Sequence, residues 1–211
     1  MNVYLQMGIN DMMEIQPVTL KGKYVRLEPL TADHHGPLCD VGLDEELWKL
    51  IPERVTTPDD MARYVRTALD AQAAGSALPF ATVECASGRV IGSTRFGNID
   101  PANRRVEIGW TWLGQKWQRT AANTEAKYLM LRHAFEVWKC NRVELKTDSL
   151  NERSRRAILR IGAKEEGTLR NHMVTWSGRL RHTVYFSVIE PDWQAVKAEL
   201  ERKLATHPSQ P

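Results

Sequence analysis

The chain has 211 residues, 42% of them hydrophobic and 26% charged, which is enough for a packed core and makes one domain the expectation. Its 29 basic and 26 acidic residues leave a net charge of +3, too balanced to argue for nucleic-acid binding and compatible with an anionic cofactor. Cys39, Cys85 and Cys140 are odd in number, far apart and without CxxC spacing, which argues against a disulfide framework and a zinc site and fits reduced thiols in a cytoplasmic protein.

No apolar run approaches the roughly 18 residues of a membrane span, and the N-terminus lacks the basic start and apolar run of a signal peptide. Residues 1–16 show little pattern and are expected to form a flexible extension. The domain proper should cover 17–206, with 207–211 a disordered tail.

Tyr24-Val25-Arg26-Leu27-Glu28 alternates and stops at Pro29, as a strand would. A helix opens at Thr31-Ala32-Asp33 and runs to about Leu50, made irregular by Gly36, Pro37 and Gly42. Thr57 at an N-cap and Pro58 at the first helical position begin the next helix; Met61, Tyr64, Val65, Ala68 and Leu69 keep helical spacing, and Gly75 ends it. Leu78–Ala86 and Arg89–Ile99 read as a hairpin around Ser87-Gly88. Asp100-Pro101-Ala102-Asn103 turns into a strand over 104–113, a loop follows, and a helix spans 124–138. Arg142–Asp148 is a strand, and Asn151 caps a helix closed by Gly162. Ala163–Val174 and Arg181–Ile189 form a long hairpin around Trp176-Ser177-Gly178-Arg179. The last helix, from Asp192 to about Leu204, carries Trp193, Val196, Leu200 and Leu204 on one stripe. On this pass alone the chain is one α/β domain.

The stretch from Arg104 to Trp138 is the most informative. A loop of small residues between a strand and a helix directs unpaired backbone N–H groups at one point, and the helix dipole adds positive potential there, a geometry suited to a pyrophosphate. On the strand, Val106, Ile108, Trp110 and Trp112 alternate with Glu107, Gly109, Thr111 and Leu113, so the apolar even set should face a helix layer and Glu107 the opposite side. On the helix, Leu131, Ala134, Phe135 and Trp138 form a core stripe.

The loop reads Gln118-Arg119-Thr120-Ala121-Ala122-Asn123. It resembles the Gln/Arg-x-x-Gly-x-Gly/Ala signature of the acetyl-CoA site in the GCN5-related N-acetyltransferases (GNAT), with Ala121 for the first Gly and Asn123 for the last small residue. Trp110-Thr111-Trp112 before it and Asn123-Thr124-Glu125-Ala126-Lys127 after it resemble the RimJ/RimL-like branch, which acetylates the N-terminal amine of ribosomal proteins and other amines. The likeness runs from about Val18 to Trp193. It implies the GNAT fold: a mixed central sheet of about seven strands, helices on both faces, and splayed strands forming a CoA cleft.

The resemblance also implies site residues. The main chain of Trp112 and Leu113 should contact the pantetheine arm as an added strand would. Residues Gln118, Arg119, Thr120, Ala121, Ala122, Asn123 and Thr124 should wrap the pyrophosphate, with Asn123 able to cap the helix. Asn151-Glu152-Arg153-Ser154 matches the Asn-x-x-Ser of this branch. Asn151 would bond the pantetheine arm and Ser154 the leaving thiolate, unless its hydroxyl bonds a carbonyl one turn back. Arg156, among Arg153, Arg155 and Arg160, would meet the 3′-phosphate, or the run is simply a solvated face. Glu107 is a candidate general base, or else the partner of Arg95 or Arg105. Related enzymes keep an acidic group where this chain has Met173, and the neighbouring His172 could substitute for it or be a structural hydrogen-bonder. Trp117 and Trp176 either line an acceptor cleft or pack elsewhere.

The expected activity is direct transfer from acetyl-CoA to a primary amine, a protein N-terminus or a small molecule, with no metal. Two rivals stand beside it: a CoA- or partner-binding module of the same fold, and an RNA or ribosome-surface binder. An edge strand in the C-terminal hairpin is compatible with a homodimer.

Overall fold

The computed structural model describes residues 13–206. Eight strands form one sheet in the order β1-β2-β3-β4-β5-β6-β8-β7. They are β1 (Leu20–Lys21), β2 (Val25–Pro29), β3 (Leu78–Glu84), β4 (Val90–Asp100), β5 (Arg105–Leu113), β6 (Arg142–Asp148), β7 (Lys164–Val174) and β8 (Leu180–Ile189). The strand beyond the expected seven is β1, a two-residue piece too short to show a period, which pairs Leu20 with Leu27. Among the described residues five α-helices accompany the sheet: α1 (His35–Gly42), α2 (Pro58–Ala73), α3 (Ala121–Arg132), α4 (Glu152–Arg160) and α5 (Trp193–Ala205). Among the described residues, no helix is long and apolar enough to cross a membrane.

Two hydrophobic clusters lie on opposite faces of the sheet. The larger holds Leu129, Met130 and Phe135 of the α3 segment and Trp193 and Leu200 of α5 against Val106, Ile108, Val143 and Phe186. The smaller holds Leu38 of α1 and Met61 and Val65 of α2 against Ala81 and Trp112. Met13 is buried in the larger cluster, and the carbonyl of Glu14 accepts from the Trp138 indole at 3.0 Å. The ordered domain therefore starts at least by Met13, within the segment expected to be a flexible extension. Residues 1–12 and the expected tail at 207–211 lie outside the described residues.

Local signals explain most of the elements. Thr57 and Asp60 make a reciprocal capping box, and the N–H groups of Thr56 and Thr57 hold the Asp60 carboxyl down at about 2. The irregular helix expected to reach Leu50 instead stops at Gly42, and Asp44 caps a separate 3₁₀ turn over Glu45–Leu47. A Cβ at Gly42 would lie 2.5 Å from the Trp112 ring, so the missing side chain lets α1 approach the sheet. The α3 stripe holds: Leu131, Ala134, Phe135 and Trp138 are all buried, the last turn widening into a π-helix over His133–Val137. Glu125, on another side of α3, clasps the start of β2. Its carboxylate accepts from the N–H groups of Lys23, Tyr24 and Val25 at 2.8, 2.6 and 2.7 Å.

Candidate active site

Only three residue pairs join β5 to its parallel neighbour β6: Arg105 with Arg142, Val106 with Val143 and Glu107 with Glu144. Beyond Glu107 the strands diverge, leaving Ile108–Leu113 and Leu145–Thr147 as the walls of a cavity of about 840 Å³. This falls within the usual range for ligand sites.

The expected alternation along β5 breaks at Trp110. That residue takes φ 50°, in the left-handed region, and the pairing with β4 jumps from Ser93 opposite Trp112 to Arg95 opposite Gly109. The result is a β-bulge, which inserts a residue and exchanges the faces beyond it. Val106 and Ile108 face a helix layer as expected, the one that holds α3. Trp112 instead packs with the α1–α2 cluster, and Leu113 takes the α3 side. Trp110 donates its indole N–H to Glu53 Oε1 at 3.2 Å and lies under the Arg95 guanidinium at 4.9 Å.

The pyrophosphate loop also differs from its sequence reading. Helix α3 starts at Ala121, three residues earlier than expected, and its N-cap is Thr120, whose hydroxyl accepts from Ala122 N–H at 3.2 Å. Asn123 is therefore inside the first turn and caps nothing. Small residues read as loop are equally good helix starters once a threonine precedes them. Gln118, Arg119 (φ 64°), Thr120 and Asn123 line the cavity, whereas the side chains of Ala121, Ala122 and Thr124 are buried in the protein. The cap occupies the Ala122 donor, leaving Ala121 and Asn123 among the unladdered N–H groups of the turn. Gln118 ties the loop to both walls: it donates to Leu113 O at 2.9 Å and accepts from Arg153 at 2.6 Å.

Glu107, Asn151, Ser154, Arg156 and His172 all reach the same cavity. Glu107 pairs with neither Arg95 nor Arg105. Its Oε2 accepts from Lys146 Nζ at 2.8 Å and from Asn98 Nδ2 at 2.5 Å. Burial pulls the Lys146 ammonium down, but the bond and charge of Glu107, aided by Tyr185, outweigh it and hold the group above the ordinary lysine range. Asn151 Oδ1 caps α4 by accepting from Ser154 N–H at 3.0 Å. The Ser154 hydroxyl makes no hydrogen bond with the described residues, so the expected alternative of a bond to a carbonyl one turn back is not seen. Arg156 is exposed beside Glu152, and Arg155 is paired with Glu152 and Glu165. His172 Nδ1 meets the Thr183 hydroxyl at 3.0 Å. Trp117 and Trp176 are not cavity residues: their indoles bond Glu84 at 2.8 Å and the Trp48 carbonyl at 3.3 Å. Trp110 and Trp112 line the cavity in their place. None of the three thiols lines it, and burial pushes the one at Cys140 up to about 12.

Four charged groups in the cavity were not singled out from sequence: Lys146, already described, and Lys127, Glu53 and Arg181. Lys127 of α3 is 5% exposed, and its Nζ donates to Thr111 Oγ1 at 2.5 Å and Thr94 Oγ1 at 3.4 Å. Burial, with no carboxylate beside it, pulls its ammonium down to about 7. The signal was present: Lys127 continues the Leu131 stripe one turn toward the helix start, where a lysine breaks the apolar pattern. Glu53 and Arg181 come from a loop and from the far hairpin, and no spacing links them to the motif.

A sheet that parts beside a helix N-terminus, with a carboxylate and a serine at the parting, defines an acyl-transfer protein of the GNAT class. The family model "Acetyltransferase (GNAT) domain" matches residues 25–164, and the chain belongs to that family. It is similar to a solved GCN5-related N-acetyltransferase from Brucella melitensis, 34% identical over 91% of this chain and 87% of that one, with a TM-score of 0.84. It is 26% identical to the N-acetyltransferase p20 of Bacillus licheniformis, over 83% of this chain and 98% of p20. The provisionally named ribosomal N-acetyltransferase YdaF of Bacillus subtilis (strain 168) is 32% identical over 52% of this chain, a match that spans 59% of that relative. A Vibrio fischeri ribosomal-protein-S5-alanine acetyltransferase, 16% identical over 83% of this chain and 98% of its own with a TM-score of 0.69, shares the fold.

Proposed function

We propose that this acetyltransferase takes acetyl-CoA as donor and passes the acetyl group directly to a primary amine. The observation that carries the reading is the parting of β5 from β6, which brings Glu107, Ser154 and the first turn of α3 into one cavity. The cavity suits the donor: unladdered N–H groups open α3, Thr120 shapes the turn, and two strand edges lie free along its walls. Acetyl-CoA, when bound, supplies the acetyl group as an activated thioester.

The chain's own residues have distinct tasks. The main chain of Trp112 and Leu113 offers an edge to the pantetheine arm, as an extra strand would pair. The Leu113 carbonyl is taken by Gln118, and backbone N–H donors near Leu113 would polarise the thioester carbonyl. Asn151 keeps its amide N–H groups for the same arm, since only its oxygen is used in the cap. Arg156 supplies an exposed positive charge at the rim for a phosphate. Glu107 takes a proton from the incoming ammonium, because only the free amine is nucleophilic. Lys146 and Asn98 fix its orientation. Ser154 lines the cavity with an unengaged hydroxyl that would hydrogen-bond and protonate the leaving thiolate. His172, tied to Thr183, is the second candidate for the base.

No covalent enzyme intermediate is part of this reading, and no metal. Edge strand β7 leaves one row of backbone groups unpaired, which favours a homodimer through that edge. The nucleic-acid alternative is weaker, because Arg153 and Arg155 of α4 are engaged by Gln118, Glu152 and Glu165. Calorimetry with acetyl-CoA tests the reading: micromolar-range binding that free CoA displaces is expected, and no saturation at millimolar donor would reject it.

A further inference from the structure

Arg181 stands apart in the cavity. It is 6% exposed, lines the cavity, and has no hydrogen-bond or ion-pair partner among the described residues; its Nε is buried and unsatisfied. Burial works against its charge, and the carboxylates that oppose this, Asp148, Glu53 and Glu107, act at a distance, with Arg179 repelling it. Asp148 is already bonded to Arg179 and to the Leu150 N–H. A guanidinium presents five donors in a planar fork matched to a carboxylate, and a buried one without partners is costly.

A second orphan lies in the same cavity. Glu53 Oε1 accepts from Trp110, while Oε2 is buried without a partner. The cavity thus presents an unpaired cationic fork and an unsatisfied carboxylate oxygen together. Leu47, Leu50, Ile51 and Met173 add apolar lining to the same cavity, beside the polar His172, Thr183 and Tyr185.

We propose that Arg181 anchors a carboxylate of the acceptor, so that the amine acetylated by this protein carries a carboxylate, an apolar α-amino acid being the simplest member of the class. This rests on the acetyltransferase reading and narrows it. Glu53 and Glu107 attract the ammonium, Arg181 takes the carboxylate, and the apolar lining receives the side chain. A protein N-terminus lacks the adjoining carboxylate and would leave Arg181 unpaired.

The test compares matched pairs: leucine with isopentylamine, methionine with 3-(methylthio)propylamine, and 4-aminobutyrate with propylamine. Binding is measured by calorimetry to the protein with and without CoA, and turnover by thiol release from acetyl-CoA. At least one carboxylate member should bind about 30-fold or more tighter than its amine. Arg181→Met and Arg181→Lys should abolish that ratio while leaving acetyl-CoA affinity unchanged. Equal or better use of the decarboxylated amines, or of peptide N-termini, would overturn the proposal, as would a ratio that survives Arg181→Met. If Arg181→Met does not fold, the wild-type ratio and Arg181→Lys decide. Absence of donor binding would sink the acetyltransferase reading, whereas the acceptor ratio in the CoA-free protein would still stand or fall by itself.

Discussion

Lys127 of α3 reaches across to Thr111 on the diverging strand, its ammonium 2.5 Å from the threonine hydroxyl and almost wholly out of water. The Thr111 hydroxyl also meets Thr94 at 2.7 Å, so the two threonines keep each other as partners if the lysine is removed.

That arrangement has a definite pH signature. The Lys127 pKa falls from 10.5 to about 7, so between those values the unfolded chain binds a proton that the folded one has released. Stability therefore rises with pH across this window; the burial penalty is complete below about pH 7 and gone above about 10.5. Lys127→Met should stabilise the fold by a few kcal/mol near pH 6.5 and by much less near pH 10. Denaturant titrations at both pH values check this, and an equal effect at the two would mean that folding does not lower the Lys127 pKa.

Replacing Glu107 by Gln keeps the shape and the Asn98 contact but removes the proton acceptor. The expected result is a fall of about 10²-fold or more in kcat with little change in acetyl-CoA affinity. Steady-state kinetics beside calorimetry separate the two. An unaffected kcat would transfer the base role to His172, where His172→Gln should then produce the loss.

Ser154→Ala should lower turnover more than it weakens donor binding, since the hydroxyl is engaged by nothing else in the described protein. A change confined to the donor Kd would make Ser154 a binding contact alone.

Glu125→Ala should cost about 3 kcal/mol or more of stability, because three backbone N–H groups lose their acceptor at once. Urea unfolding provides the measurement. A loss below about 1 kcal/mol would show that water replaces the carboxylate.

Much of this could be read from residue order, and what escaped did so for physical reasons. The core stripe of α3, the Asn151 cap and the C-terminal hairpin follow local rules of period and capping, which act over a few residues. A strand-to-helix connection was legible after Leu113, but Ala121 and Ala122 read as backbone-approach positions although they are the first turn of a helix. Period-two reasoning put Trp112 on the same face as Val106 and Ile108 and could not foresee that Trp110 would take a positive φ and exchange the faces. Glu53 and Arg181 meet only through the tertiary fold. Glu107 was legible as a candidate, while its partner Lys146 lies on a strand reached through a crossover helix.

The three pairs between β5 and β6 have a mechanical consequence. The centre of a sheet is ordinarily its stiffest part, yet here it is a short seam between a five-strand block and a three-strand block, with α3 and its apolar underside spanning both. Main-chain pairing therefore resists relative movement of the two blocks least at this seam, and the helix layer that crosses it carries the rest.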